Sequence, residues 1–168
     1  MGKNSMTTDF LKECMSDSLL KLMREKDFSK ITVDEIAAGA GVNRSTWFRN
    51  YTTKNEALTF KLVKLWDRWA DEYDLSEKRG YNTDNAQDFF RFNYENRTVL
   101  KTIRDAGLKS AIYDAFYSAM MPLFQTDVQG CYFSRFYSYG LFGLLDEWIS
   151  RDFLETPDKM TEIFNNII

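Results

Sequence analysis

Arg44, Ser45, Thr46, Arg49 and Lys54 all fall within residues 44–54. These side chains share one competence, which is donating hydrogen bonds to anions and to acceptor-rich edges. An arginine fork matches guanine O6 and N7, or a phosphate, and a serine or threonine hydroxyl reaches several base edges. Lys54 adds a point charge where a helix begins and free backbone N–H groups already favour phosphate. Across residues 43–64 the basic residues are Arg44, Arg49, Lys54, Lys61 and Lys64, against the single acid Glu56. The 168-residue chain carries a net charge of −3, unevenly spread. Residues 1–66 hold 11 Lys+Arg and 8 Asp+Glu, a balance of +3, whereas residues 67–168 hold 11 and 17, a balance of −6. A basic end on an acidic body suits a protein that meets a polyanion at that end. An ordinary solvated helix face carries the same charges, so charge alone does not decide.

Other chemistries are excluded or disfavoured. With no histidine, His-dependent triads and His-containing zinc sites cannot form. Cys14 and Cys131 are the only cysteines, too few for a thiolate metal site or a disulfide scaffold, and two isolated reduced thiols are expected. No metal or cofactor is expected. No apolar run approaches the roughly 20 residues of a membrane span, and Met1 to Ser5 lack an apolar secretion segment. The expectation is a cytoplasmic protein without a membrane partner. Two prolines, eight glycines and 44% hydrophobic residues point to a helical protein with ample core.

The donors must be positioned by short helices. A first helix is expected from about Thr7 or Thr8, with Phe10, Leu11, Cys14, Met15, Leu19 and Leu22 at helical spacing. Thr32-Val33-Asp34-Glu35 reads as a capping box opening a short, alanine-rich helix to Ala40, which Gly41 ends. Small side chains there permit close helix approach. Asn43 is expected to cap a third helix from Arg44 to Asn50, and a fourth runs from Lys54 to about Tyr73. Two short helices joined by a turn containing glycine form a helix-turn-helix pattern. Ile36, Ala37, Ala40, Val42, Trp47, Tyr51 and Leu58 have the spacing of its small core. Residues 76–82 read as a linker. Helices then follow over about 84–96, 97–106, 109–124 and 128–151, and Thr156-Pro157 is an N-cap and first-turn pair for a last one. The count is about nine helices and the class all-α.

Residues 31–58 resemble the DNA-binding domain of the TetR family of transcription regulators. The resemblance rests on Thr32, Ile36-Ala37, Ala40-Gly41-Val42, Arg44-Ser45-Thr46, Phe48, Tyr51, Lys54, Glu56 and Leu58. It implies a helix-turn-helix domain over residues 1–53, whose DNA contacts are expected from Thr32, Asn43, Arg44, Ser45, Thr46, Phe48, Arg49, Asn50 and Lys54. The chain departs from the family's usual residues at Asn43, Ser45, Phe48 and Asn50, and Phe48 lacks the phosphate-binding hydroxyl of the usual tyrosine.

The resemblance further implies a helical ligand-binding and dimerisation domain over residues 54–168. Tyr137 to Ile149 looks like the penultimate helix of short members, and in the family the last two helices pair with their copies. Leu141, Leu144, Leu145, Trp148, Ile149, Ile163, Phe164 and Ile167 are the candidate dimer residues, with half of them equally suited to the protomer core. Phe89, Phe92, Tyr113, Phe116, Tyr117, Met120, Phe133 and Tyr137 are the candidate pocket residues for an unknown small-molecule effector. The expected function is a ligand-responsive repressor, a homodimer on a palindromic double-stranded operator, with the two recognition helices about 34–36 Å apart. The alternatives are an activator of the same fold or a helical interaction module that has lost operator binding. An enzyme is not expected, because Asp146 and Glu147 point about 100° apart on a helix and share no site.

Overall fold

The computed structural model describes residues 3–72, 85–124 and 127–167, with side chains described for 7–72, 85–119 and 127–167. Among them are nine α-helices: α1 (Lys3–Met23), α2 (Val33–Gly39), α3 (Arg44–Asn50), α4 (Lys54–Glu72), α5 (Ala86–Glu95), α6 (Arg97–Asp105), α7 (Lys109–Phe124), α8 (Val128–Ser150) and α9 (Pro157–Ile167). The described residues contain no strand. The linker expected at 76–82 lies outside the described residues.

Local chemistry sets most of the boundaries. Thr32 Oγ1 accepts the Glu35 N–H at 3.3 Å while Glu35 Oε2 accepts the Thr32 N–H at 2.9 Å, the reciprocal pair that satisfies two orphan donors. Gly41 ends the turn after α2 at φ +67°, a conformation that costs glycine little. The Thr156 hydroxyl accepts the Lys159 N–H at 3.2 Å, with Pro157 the first helical residue. Two boundaries differ from expectation. The first helix begins at Lys3, ahead of both threonines, since no breaker stands in residues 3–8. The segment expected as a loop after it holds a 3₁₀ turn at Phe28–Lys30.

Around α1 pack α2, α3, α4 and α6. Gly39 explains the close approach of α2: a methyl group there would sit 2.3 Å from Ser18 Oγ. Ile36, Ala37, Trp47, Tyr51 and Leu58 are buried in this head, and Ala40 and Val42 pack partly buried against them. Beyond it, α4 packs on α7, α7 on α8, and α5 on α9. Trp66, Trp69, Phe89, Phe90, Phe116 and Trp148 fill that second region, meeting edge to face as at Trp66–Phe116 and Phe90–Trp148. Cys14 and Cys131 are both free.

Candidate nucleic-acid interface

Helix α3 is held by its inner face. Trp47 is buried, its ring centre 5.1 Å from that of Tyr51. Ser16 Oγ lies 3.0 Å from the Tyr51 hydroxyl, 3.0 Å from the Ala57 carbonyl and 2.9 Å from the Lys12 carbonyl. One buried hydroxyl thus joins α1, the end of α3 and the start of α4. Burial raises the pKa of the Tyr51 phenol, which keeps it a hydrogen-bond donor at any physiological pH.

The outer face of α3 carries Arg44, Ser45, Phe48 and Arg49, all exposed. Phe48 is 57% exposed, the one apolar side chain among these four. Asn43 occupies the N-cap position at φ −78°, ψ 150°, but its side chain makes no capping bond. Its main-chain carbonyl accepts the Thr46 N–H at 2.8 Å instead, so the amide stays at the surface. Thr46 is buried, and its hydroxyl accepts from Arg49 Nη2 at 3.2 Å. Thr46 therefore sits behind Arg49 and steadies it. Asn50 Nδ2 donates to the Thr46 carbonyl at 2.7 Å, which ties that amide back onto its own helix. Thr32 stays exposed in its capping box.

The basic cluster read along the chain is largely paired in space. Arg44 Nη1 donates to both oxygens of Asp34, at 2.9 and 3.2 Å. Lys61 meets Asp17 at 2.7 Å and Lys64 meets Asp9 at 2.9 Å. Lys54 turns inward: its Nζ donates to the carbonyls of Phe28 at 2.6 Å and Ile31 at 2.9 Å, 4.3 Å above the Phe28 ring. Burial, helped by the nearby Lys26 ammonium, pushes the Lys54 amine below its ordinary value. Arg49 forms no ion pair with any described residue. Asp34 did not stand out in the sequence, where it reads as an ordinary acid in the first turn of a helix. Only the fold places it against Arg44.

Residues 17–58 match the family model described as bacterial regulatory proteins, tetR family, and residues 83–168 match that of a transcriptional regulator C-terminal region. The chain belongs to the TetR family. It is a DNA-binding transcriptional regulator with an N-terminal helix-turn-helix head and a helical C-terminal region. A comparison with curated proteins finds no match.

In this TetR-family chain the candidate pocket residues separate by depth. Phe89 and Phe116 are buried, with ring centres 5.9 Å apart. Phe92, Tyr113, Tyr117 and Tyr137 are half-buried and Phe133 is exposed. The side chain of Met120 lies outside the described residues. Tyr113 stacks on Tyr139 at 4.3 Å and accepts from Arg135 Nη1 at 2.9 Å, and that guanidinium lies 3.6 Å from the Tyr117 ring centre.

The candidate dimer residues divide as well. Leu141, Leu145, Trp148, Ile149 and Phe164 belong to the protomer's own core, with Trp148 and Phe164 both meeting Phe90 of α5. Leu141, Leu144, Phe164 and Ile167 line an apolar groove of about 410 Å³ between α8 and α9, floored by Gly140 and Gly143 and edged by Phe136. Ile163 is half-buried beside it, and Ile167 is 65% exposed. Asp146 is taken by Arg104 at 2.8 Å and Lys109 at 3.4 Å, whereas Glu147 lines the groove. The two carboxylates face different surroundings. No helix among the described residues is long and apolar enough to cross a membrane.

Proposed function

We propose that this regulator binds a palindromic operator as a homodimer, laying one α3 in the major groove of each half-site, and that it acts as a repressor released by a small effector. The carrying observation is the division of α3 into a fixed inner face and a solvent-facing outer one. Trp47 and Tyr51 anchor the helix, and Arg44, Ser45, Phe48 and Arg49 project from it. Arg49 is the base reader of choice, since its fork is uncommitted to any described carboxylate and is steadied by Thr46. Asn43 reaches a phosphate beside it, whereas both donors of Thr32 are held by the Glu35 carboxylate, and Phe48 offers apolar contact to a thymine methyl or a sugar. Asn50 is tied to the backbone of α3 itself, and Lys54 holds the start of α4 to the segment ahead of α2. Residues 1–53 form the DNA-binding unit and 54–168 the regulatory one.

The groove between α8 and α9 supports the dimer. Apolar side chains around two exposed glycines leave room for a second helix pair to approach closely, as in a four-helix bundle. Two heads are also required mechanically, because seven residues of α3 make few base contacts alone. The aromatic layer of α5, α7 and α8 supports an apolar or flat effector, whose binding would shift the population between head spacings. Selection of bound duplexes from a random-sequence library tests the reading. A palindromic consensus with half-sites about one helical turn apart is expected, and recovery of no enriched sequence would overturn it.

A further inference from the structure

Resting on that DNA reading, we infer that Asp34 is a specificity-determining residue that holds the Arg44 guanidinium in place and suppresses its binding to arbitrary phosphates. The two side chains belong to consecutive helices of the head. Both are well exposed, at 62% for Arg44 and 63% for Asp34, so nothing buried enforces the pairing. Arg44 Nη1 is used by the two Asp34 oxygens, which leaves Nη2 and Nε as outward donors. On its other side the guanidinium carbon lies 5.5 Å from the centre of the Phe48 ring. A carboxylate and an aromatic ring therefore fix the direction of a long side chain that would otherwise sample many rotamers.

The electrostatic consequence follows from position. Asp34 lies in the first turn of α2, on the surface shared with the outer face of α3. A negative charge there repels every phosphate equally. It cancels much of the attraction of Arg44 for non-specific duplex. An exposed pair is weak enough for a correctly placed guanine to recruit the remaining donors. Penalising wrong partners in this way raises discrimination without adding contacts to the right one. Asp34 also favours α2 through the helix dipole, a structural role that its substitution removes too, so the test must separate the two.

The experiment uses the full chain with Asp34→Ala, Asp34→Asn, Arg44→Ala and the Asp34→Ala/Arg44→Ala pair. Each is titrated with the duplex selected by the wild type and with a scrambled duplex across a salt series. Asp34→Ala is expected to bind the scrambled duplex roughly two- to five-fold tighter per head. Its salt slope steepens by about one per head, and base preference beneath Arg44 relaxes. Asp34→Asn keeps an acceptor without the charge, so it retains the base preference while showing the steeper slope. In the Arg44→Ala background the change in base preference disappears, which a purely structural role for Asp34 would not produce. An unchanged slope and consensus in Asp34→Ala, or a preference change that persists without Arg44, overturns the inference. A wild type that selects no duplex removes the DNA reading itself, and the inference with it.

Discussion

Replacing Lys54 by methionine keeps the apolar stem and removes the ammonium, which isolates the two bonds to the Phe28 and Ile31 carbonyls. Hydrogen bonds from a charged donor contribute about 1.5 kcal/mol each at the low end of their range, the end that suits a partly exposed ammonium, so the pair starts from about 3 kcal/mol. Two effects reduce it. The carbonyls regain water once the ammonium is gone, and the amine's lowered pKa records that its charged form already costs something in this partly buried place. A net loss of about 1–2 kcal/mol remains. With a urea slope of about 2 kcal/mol per molar for a chain of this size, the midpoint falls by roughly 0.5–1 M. Urea unfolding followed by tryptophan fluorescence measures this, since Trp47 lies in the same head. Because the ammonium is spent on the protein, the salt dependence of duplex binding should keep its slope. An unmoved midpoint, together with a slope reduced by about one per head, would return Lys54 to the phosphate and refute the clamp.

Three further outcomes are expected. The Lys26 hydrogen bond, then those of Thr32, holds the Glu35 carboxyl down to about 2 from an ordinary 4.5. A depressed carboxylate contributes stability above its unfolded value that is lost as pH falls. Glu35→Gln should therefore flatten the decline in stability between about pH 4.5 and 2, read by thermal melts across that window, and an identical decline in both proteins would discount the pairing. Ser138 Oγ is buried with no hydrogen-bond partner among the described residues, so Ser138→Ala should be neutral or stabilising by up to about 1 kcal/mol; a lowered melting temperature contradicts this. Leu144→Asp places a charge in the α8–α9 groove, and sedimentation at micromolar concentration should show monomers with unchanged helical content, whereas a persistent dimer moves the interface elsewhere.

Much of the fold was legible because its signals are short-ranged. A threonine and a glutamate three residues apart, a glycine after an apolar repeat, and a threonine before a proline act within one helical turn. Their effect does not depend on what lies elsewhere. The core of the head was legible too, since Ile36, Trp47 and Leu58 each mark the apolar side of a separate helix, α2, α3 and α4. The extra turn of α1 and the 3₁₀ segment at Phe28–Lys30 were less visible, since neither carries a strong cap or breaker.

The residue types able to bind an anion were likewise readable, but their commitments were not. Along the chain, Arg44, Lys54, Lys61 and Lys64 look alike as free cations. In space, one is held by Asp34, one by two main-chain carbonyls, and two by acids of α1. Leu144 and Leu145 are neighbours in sequence, yet one lines a groove and the other fills the core. The amino-acid order by itself determined where most of the helices start and stop and which side chains are able to bind an anion. Tertiary packing alone decided which remain available, because an ion pair or a buried face depends on groups tens of residues away that only the folded chain brings within a few ångströms.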